Sequence, residues 1–273
     1  MRHAVVRAIR KVLRVPAVKR LLIETPLIYK VYLPWERTHP FDMAHGVDTS
    51  GYIGLDDLYP DPKLKGLVYP YGASQPSIIR RALGTLGDVS EYTFIDLGCG
   101  KARPALVATE FQFRGIQGVE LSTPLAELAR QNAAQFAKRY PDRREITIHN
   151  QNALEYRLPG GKLALFFYQS FGRPLLEEFL TRLETSLAAG HISHLFFVYY
   201  NATFGDALDS SPAFSRWFAE TIPYKRGELG FGPDKADTVV IWQSTRGELP
   251  SPYPGREARI VPLGVWTASL APG

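Results

Sequence analysis

The sequence predicts an α/β fold: a mostly parallel seven-stranded sheet, one antiparallel strand near the C-terminus, and helices on both faces. Three observations predict it. Short apolar runs rich in β-branched and aromatic residues recur between residues 92 and 244, and most alternate with helix-length segments. The first run, Thr93-Phe94-Ile95-Asp96-Leu97, breaks into Gly98-Cys99-Gly100 and then into an apolar stretch from Pro104 to Thr109. That is the strand, glycine turn and helix that opens a nucleotide-binding sheet. The last two runs have no long helix between them, so they pair antiparallel.

In chain order, residues 1–40 are a basic helical extension. They hold nine Lys and Arg against two acids, a local charge of +7; the whole chain carries +5, leaving −2 for the rest. Val5, Ile9, Val12 and Leu13 share one stripe of a helix over 4–14 that ends before Pro16, and 17–24 suits a second helix. Its charged side either faces water or meets an acidic partner or a membrane surface. Because the positive charge belongs to the extension, no specific nucleic-acid partner is expected for the body. Residues 41–75 are rich in Gly, Pro, Asp and Tyr, an ordered loop with short helical turns. They suit a lid over the strand ends, with Tyr69 and Tyr71 as its contacts.

The main α/β domain spans 76–273. A helix covers 76–86, with Pro76 at its start. After the strand at 93–97 come a helix over 103–111, a strand over 115–121 and a long helix over 123–139, capped by Ser122 or Thr123 ahead of Pro124. Strands follow at 145–149 and 163–169, then a helix over 173–188 ended by Gly190, and a strand over 194–200. A short helix near 211–220 and strands over 222–228 and 237–244 complete the fold.

Composition sets bounds. A chain of 273 residues, 45% hydrophobic and 22% charged, buries an ordinary core. Cys99 is the single cysteine, so no internal disulfide forms, and a reducing, cytoplasmic compartment fits. No apolar run reaches the roughly 18 residues of a membrane span. His149 reads as structural; His191 and His194 lack acidic or cysteine companions at ligand spacing, so no metal is expected.

The chemistry gathers at strand ends, where open α/β sheets bind ligands. Glu120 stands 20 residues after Gly100, placed to accept both hydroxyls of a ribose. Dinucleotide-binding proteins share that spacing, but three features turn the reading elsewhere. Arg103 stands where a third glycine would approach a pyrophosphate. Asp96 would repel phosphates yet suits a cationic amine. The antiparallel end departs from the dinucleotide fold. Together they favour an adenosine with an amino-acid tail and no phosphate, S-adenosylmethionine.

Over residues 70–245 the chain resembles class I S-adenosylmethionine-dependent methyltransferases, which have a Rossmann-like sheet. Phe94-Ile95-Asp96-Leu97-Gly98-Cys99-Gly100-Lys101 matches the first motif, and Gly118-Val119-Glu120-Leu121 the acidic position after the second strand. Asn152-Ala153 matches the third motif with Asn in place of the usual Asp; its carbonyl oxygen can still meet the adenine edge. The fourth motif, often Asn-Pro-Pro-Phe, is here Gln169-Ser170-Phe171-Gly172. The resemblance implies an enzyme of class EC 2.1.1.- that releases S-adenosylhomocysteine, with Tyr69, Tyr71 and Tyr168 joining these motif residues around the cofactor. Lys101 and Arg103 either serve the site or are solvated on the first helix. The run Gly98-Cys99-Gly100-Lys101-Ala102-Arg103, with Tyr71-Gly72 upstream, resembles non-SET histone-lysine methyltransferases and related bacterial and mitochondrial lysine methyltransferases; Cys99 and Ala102 replace Ser and Gly. A protein lysine amine is the acceptor this implies. A small-molecule N- or O-acceptor is the alternative, and a non-catalytic binding protein on the same fold the third reading. Tyr168, Gln169, Phe171, Tyr200 and Asn201 are the candidate catalytic residues around the acceptor, with core packing the other reading of Tyr168 and Tyr200.

Overall fold

The computed structural model describes residues 38–260 apart from 60, 65, 226 and 229–235. The helices expected over 4–14 and 17–24 lie outside the described residues. Two short strands, β1 (Tyr52–Ile53) and β2 (Tyr71–Gly72), pair antiparallel in the segment ahead of the main sheet. Around them lie the short helices α1 (Pro40–His45) and α2 (Leu55–Leu58) and a 3₁₀ turn, Pro62–Leu64.

The main sheet contains β3 (Tyr92–Leu97), β4 (Gly115–Glu120), β5 (Ile146–Asn150), β6 (Gly161–Phe167), β7 (Ile192–Tyr200), β8 (Phe214–Pro223) and β9 (Ala236–Ser244), in the order β5-β4-β3-β6-β7-β9-β8. β3, β4, β5, β6 and β7 run parallel; β9 is antiparallel to both neighbours. This is the predicted Rossmann-like sheet of seven strands with one antiparallel member. The chain builds outward from β3 to β5 on one side, then crosses back to place β6 on the other. The switch point therefore lies between β3 and β6, where a crevice opens beyond the strand ends.

Alternation along the strands sorts the core into two layers. Phe94, Ile116, Ala164, Phe166, Phe196 and Val198 face one side, packed with α3 (Pro76–Leu83), α4 (Arg103–Ala108) and α5 (Thr123–Arg139). Ile95, Leu97, Leu163, Leu165, Phe167 and Phe197 face the other, against Leu176, Phe179, Leu180 and Leu183 of α6 (Arg173–Ala188). With both faces covered, β6 and β7 read as near-continuous apolar runs. The crossover from β5 to β6 carries turns and no helix. Among the described residues no helix is long and apolar enough to cross a membrane.

Two expectations need correction. The helix placed at 211–220 is the body of β8, which replaces the strand expected at 222–228; the short helix, α7 (Gly205–Asp209), comes earlier. A bulge between Arg216 and Phe218 is the cause. It shifts the strand's period, so that buried Phe214, Trp217 and Phe218 fall at i, i+3 and i+4, the spacing of a helix face. Ser122 stands at the N-cap of α5, but neither its hydroxyl nor that of Thr123 caps the helix. The backbone N–H of Ser122 instead donates to Glu120.

Candidate functional site

Beyond Leu97 the chain enters a left-handed turn at alternate residues: Gly98 (φ 70°), Gly100 (φ 54°) and Ala102 (φ 70°). The turn folds back on β4, with the N–H groups of Gly98 and Cys99 donating to the Val119 carbonyl at 2.8 and 3.0 Å. A side chain on Gly98 would collide with Ser170, and one on Gly100 with the Tyr71 ring. The turn is thus pressed between the end of β6 and the segment preceding the sheet. Ala102 holds its positive φ despite its Cβ, which fixes the direction of α4.

Two carboxylates meet beside this turn. Glu120, at the end of β4, accepts from Gly100 N–H and Ser122 N–H, both at 2.8 Å, and from the Tyr59 hydroxyl at 3.1 Å. Burial raises its pKa although those N–H groups pull the other way. Asp96, the penultimate residue of β3, is 2% exposed, and its Oδ2 has no partner among the described residues. Burial, reinforced by the charge of Glu120, pushes its carboxyl well above the usual range. An unpaired buried carboxylate oxygen is costly, so its presence at a cleft is a statement about what binds there.

The cleft has two lobes that share Tyr59, Gly98, Glu120 and Ser170. One, of about 160 Å³, is walled by Leu67, Val68, Val119, Leu121, Asn152, Ala153 and Phe171. The other, about 70 Å³, is lined by Asp96, Cys99, Gly100, Tyr71 and Phe166, with Tyr69, Tyr168 and Gln169 also along its wall. Glu120 stands between an apolar slot and a chamber holding the buried Asp96 carboxyl.

The segment over the cleft is tied down by buried polar groups. Arg103, 3% exposed, donates to Thr49 Oγ1 at 2.7 Å, the Thr49 carbonyl at 2.9 Å and the Ser74 carbonyl at 3.1 Å. Asp42 lies 3.7 Å from the same guanidinium and accepts from Thr49 N–H at 2.8 Å. Lys101 donates to Asp48 at 2.9 Å and to the Ser50 carbonyl at 2.8 Å, while the Tyr71 hydroxyl donates to the Thr49 carbonyl at 2.7 Å. Arg103 is therefore not solvated, and Lys101 turns to the covering segment and does not line the cleft.

Other candidates also sit differently from expectation. Tyr200 and Asn201 do not line either lobe. Both are buried beneath Tyr168: the Tyr200 hydroxyl donates to Asp237, and the Asn201 amide bonds Asp237 at 3.0 Å and Thr238 N–H at 2.9 Å. Burial and the neighbouring Asp237 hold the Tyr200 phenol far above its ordinary pKa. Their place at a strand end is what suggested a cleft position, but the adjacent antiparallel β9 covers them. Phe171 packs at a tilt against Phe167, with ring centres 4.7 Å apart, and lines the apolar slot rather than the opening. Asn152 Oδ1 accepts from Leu154 N–H at 3.0 Å, so its Nδ2 is left as a donor toward the slot. Burial raises the Cys99 thiol, the reverse of what a nucleophile needs. No three His, Cys, Asp or Glu side chains among the described residues converge to hold a metal ion.

Tyr59 and Thr203 were not singled out by sequence as site residues, and Ser170 was read only as a member of the fourth-motif run. Tyr59 lies in the Tyr- and Pro-rich stretch that marks the covering segment, but nothing local says that it reaches Glu120, 61 positions away. Ser170 packs on Gly98 and donates to the Leu97 carbonyl.

No protein-family model and no curated protein matches this sequence. Among solved structures, similar ones include a precorrin-6y C5,15-methyltransferase from Geobacter metallireducens GS-15 (15% identity, covering 62% of this chain and 88% of that one, TM-score 0.45). An RNA methyltransferase from Salinibacter ruber, in complex with S-adenosyl-L-homocysteine, is 15% identical over 66% of this chain and 97% of its own, with a TM-score of 0.40. A ribosomal protein L11 methylase from Lactobacillus delbrueckii subsp. bulgaricus is 13% identical over 62% and 77%, with a TM-score of 0.39.

Proposed function

We propose that this chain is an S-adenosylmethionine-dependent methyltransferase whose acceptor is an amine, foremost that of a protein lysine. The observation that carries the cofactor is the unpartnered Asp96 Oδ2 beside Glu120 at the fork of the cleft. A buried carboxylate in want of a cation excludes a pyrophosphate and suits the ammonium of an amino-acid tail. Glu120 suits ribose hydroxyls, with the Tyr59 hydroxyl standing where one of them would bond. The apolar slot between Leu121, Ala153 and Phe171 suits a purine, with Asn152 at its edge. Bound there, the cofactor would supply an electrophilic methyl on a sulfonium. The protein's own part is to hold two reactants in line and to keep water out.

The opening beside the Asp96 chamber supports the amine. Tyr69, Pro70, Gly72, Tyr168 and Gln169 wall a narrow passage of about 20 Å³. Its tyrosines suit a slender aliphatic chain, and desolvation there favours the neutral, nucleophilic form of a lysine. The segment 41–75 serves as the lid, and with its one buried thiol the enzyme suits the cytoplasm. The 1–40 extension supplies a contact for an acidic partner or membrane.

Calorimetry with S-adenosylmethionine tests the cofactor, and absence of binding to the wild type would end this reading. Labelled methyl transfer into a lysate, divided by protease, ribonuclease and size, tests the acceptor. Label in lysine residues is the expected result; label confined to RNA or to small molecules rejects the lysine.

A further inference from the structure

The mouth of the cleft contains an amide whose orientation is fixed by a residue outside the cleft. Gln169 follows β6 with a φ of 44°, a left-handed backbone that costs free energy for a residue with a side chain. Its Nε2 lies 2.6 Å from Thr203 Oγ1. Thr203 has one hydroxyl proton, and the Asn201 carbonyl takes it at 3.2 Å. The Thr203 oxygen is thus left as an acceptor, and only Nε2 of Gln169 can face it. Thr203 is itself held, since its N–H donates to the same Asn201 carbonyl at 2.7 Å. Asn201, at φ 48°, is pinned to β9 through Thr238.

This chain of bonds determines where Gln169 Oε1 points. No donor among the described residues reaches it. The fully buried side-chain polar atoms that lack a partner are Asp96 Oδ2, Ser122 Oγ and His149 Nε2, and Gln169 Oε1 is not one of them. It therefore opens onto free space, and Gln169 forms part of both the Asp96 chamber and the mouth.

We propose that Thr203 is a positioning residue: by holding the Gln169 amide nitrogen, it presents Oε1 at the mouth as a fixed hydrogen-bond acceptor, so that the site selects an entering group bearing an N–H. The proposal rests on the amine reading above and deepens it. A carbonyl oxygen held there orients an N–H and turns the nitrogen lone pair inward. A group without an N–H leaves Oε1 unsatisfied in a narrowed, drying passage, and that asymmetry is the source of selectivity.

The test uses the full chain saturated with S-adenosylhomocysteine and two probes of the same length, n-butylamine and butyltrimethylammonium, which has no N–H. Binding is followed by calorimetry for the wild type, Thr203→Val and Thr203→Ser. The wild type is expected to prefer n-butylamine by about tenfold, the worth of one well-placed hydrogen bond. Thr203→Val should lose most of that preference by weakening n-butylamine alone, Thr203→Ser should retain it, and all three should bind S-adenosylhomocysteine alike. Wild-type discrimination in Thr203→Val overturns the proposal, as does equal binding of both probes to the wild type. A loss shared by both probes, or a failure of Thr203→Ser to rescue, marks a merely structural threonine and also overturns it. If S-adenosylhomocysteine does not bind the wild type, the cofactor reading has failed and takes this one with it; bound S-adenosylhomocysteine without discrimination refutes this one alone.

Discussion

The two strand ends that flank the switch point are built by different means. At β3 and β4 the site is made of backbone: a turn of left-handed residues, N–H groups aimed at Glu120, and Asp96 one step from the strand end. At β6 and β7 it is made of side chains: Gln169 on Thr203, Asn201 on Asp237 and Thr238, Tyr168 over Tyr200. A backbone device is encoded within one strand-turn-helix-strand stretch, from Asp96 to Ser122. A side-chain network joins positions more than thirty residues apart, so it leaves no local pattern. The first half reads the constant part of a ligand; the second is free to vary with whatever enters the mouth.

Substitutions separate the halves most sharply where the backbone device is broken. Glu120→Ala removes the carboxylate offered to a ribose and strands the N–H groups of Gly100 and Ser122. S-adenosylmethionine affinity should fall by about 10²-fold in calorimetry, with charge-assisted hydrogen bonds lost. Gly100→Ala combines a positive φ with a collision against the Tyr71 ring. It should cost about 2 kcal/mol in urea unfolding and weaken cofactor binding, whereas the passage formed by Tyr69 and Gln169 should keep its discrimination between amine probes.

Asp96→Asn is a finer probe, because it should improve one property while damaging another. The folded pKa of Asp96 is raised, so its contribution to stability is full below the ordinary carboxylate range and lost as pH rises through the raised value. The ligand-free variant should therefore melt a few degrees above the wild type at neutral pH, and the gap should close on acidification. Its affinity for the cationic cofactor should fall, and that affinity should no longer decline as pH drops toward the carboxylate range. Equal melting temperatures at neutral pH would show that the buried charge is not costly. The smallest effect is expected at Ala102. Replacing it with Gly relieves a left-handed strain of about 1–2 kcal/mol but adds about 0.5–1 kcal/mol of unfolded-chain entropy. A net stabilisation near 0.5 kcal/mol should appear in unfolding titrations, with no change at the mouth.

The same contrast governs what the sequence could tell. The sheet was legible because each strand is a continuous apolar run and the helices over 123–139 and 173–188 end at recognisable signals. The Asp96 turn and Glu120 were legible because their spacing is local. β8 was misread because a bulge gave a strand the periodicity of a helix. Tyr200 and Asn201 were misplaced because the antiparallel β9 converts an apparent strand-end site into a covered one. Lys101 was misassigned because its partners, Asp48 and Ser50, precede it by about fifty residues, and no rule of spacing links a helix start to a loop so distant.

The ring of Tyr71 on Gly100 and the hydroxyl of Tyr59 on Glu120 also give the protein a clock. The Tyr59 and Tyr71 contacts over the cleft run to a segment outside the main sheet, so a lifting of that segment would leave β3 to β9 paired. Such a motion is a sub-global opening, with a free energy below that of full unfolding. The N–H of Asp48, in that segment, donates to Asn132 of α5 at 2.8 Å, so its exchange with heavy water registers that lifting and not the melting of the sheet. On the cofactor reading, the rate at which that amide exchanges would then track the rate at which a ligand leaves the cleft.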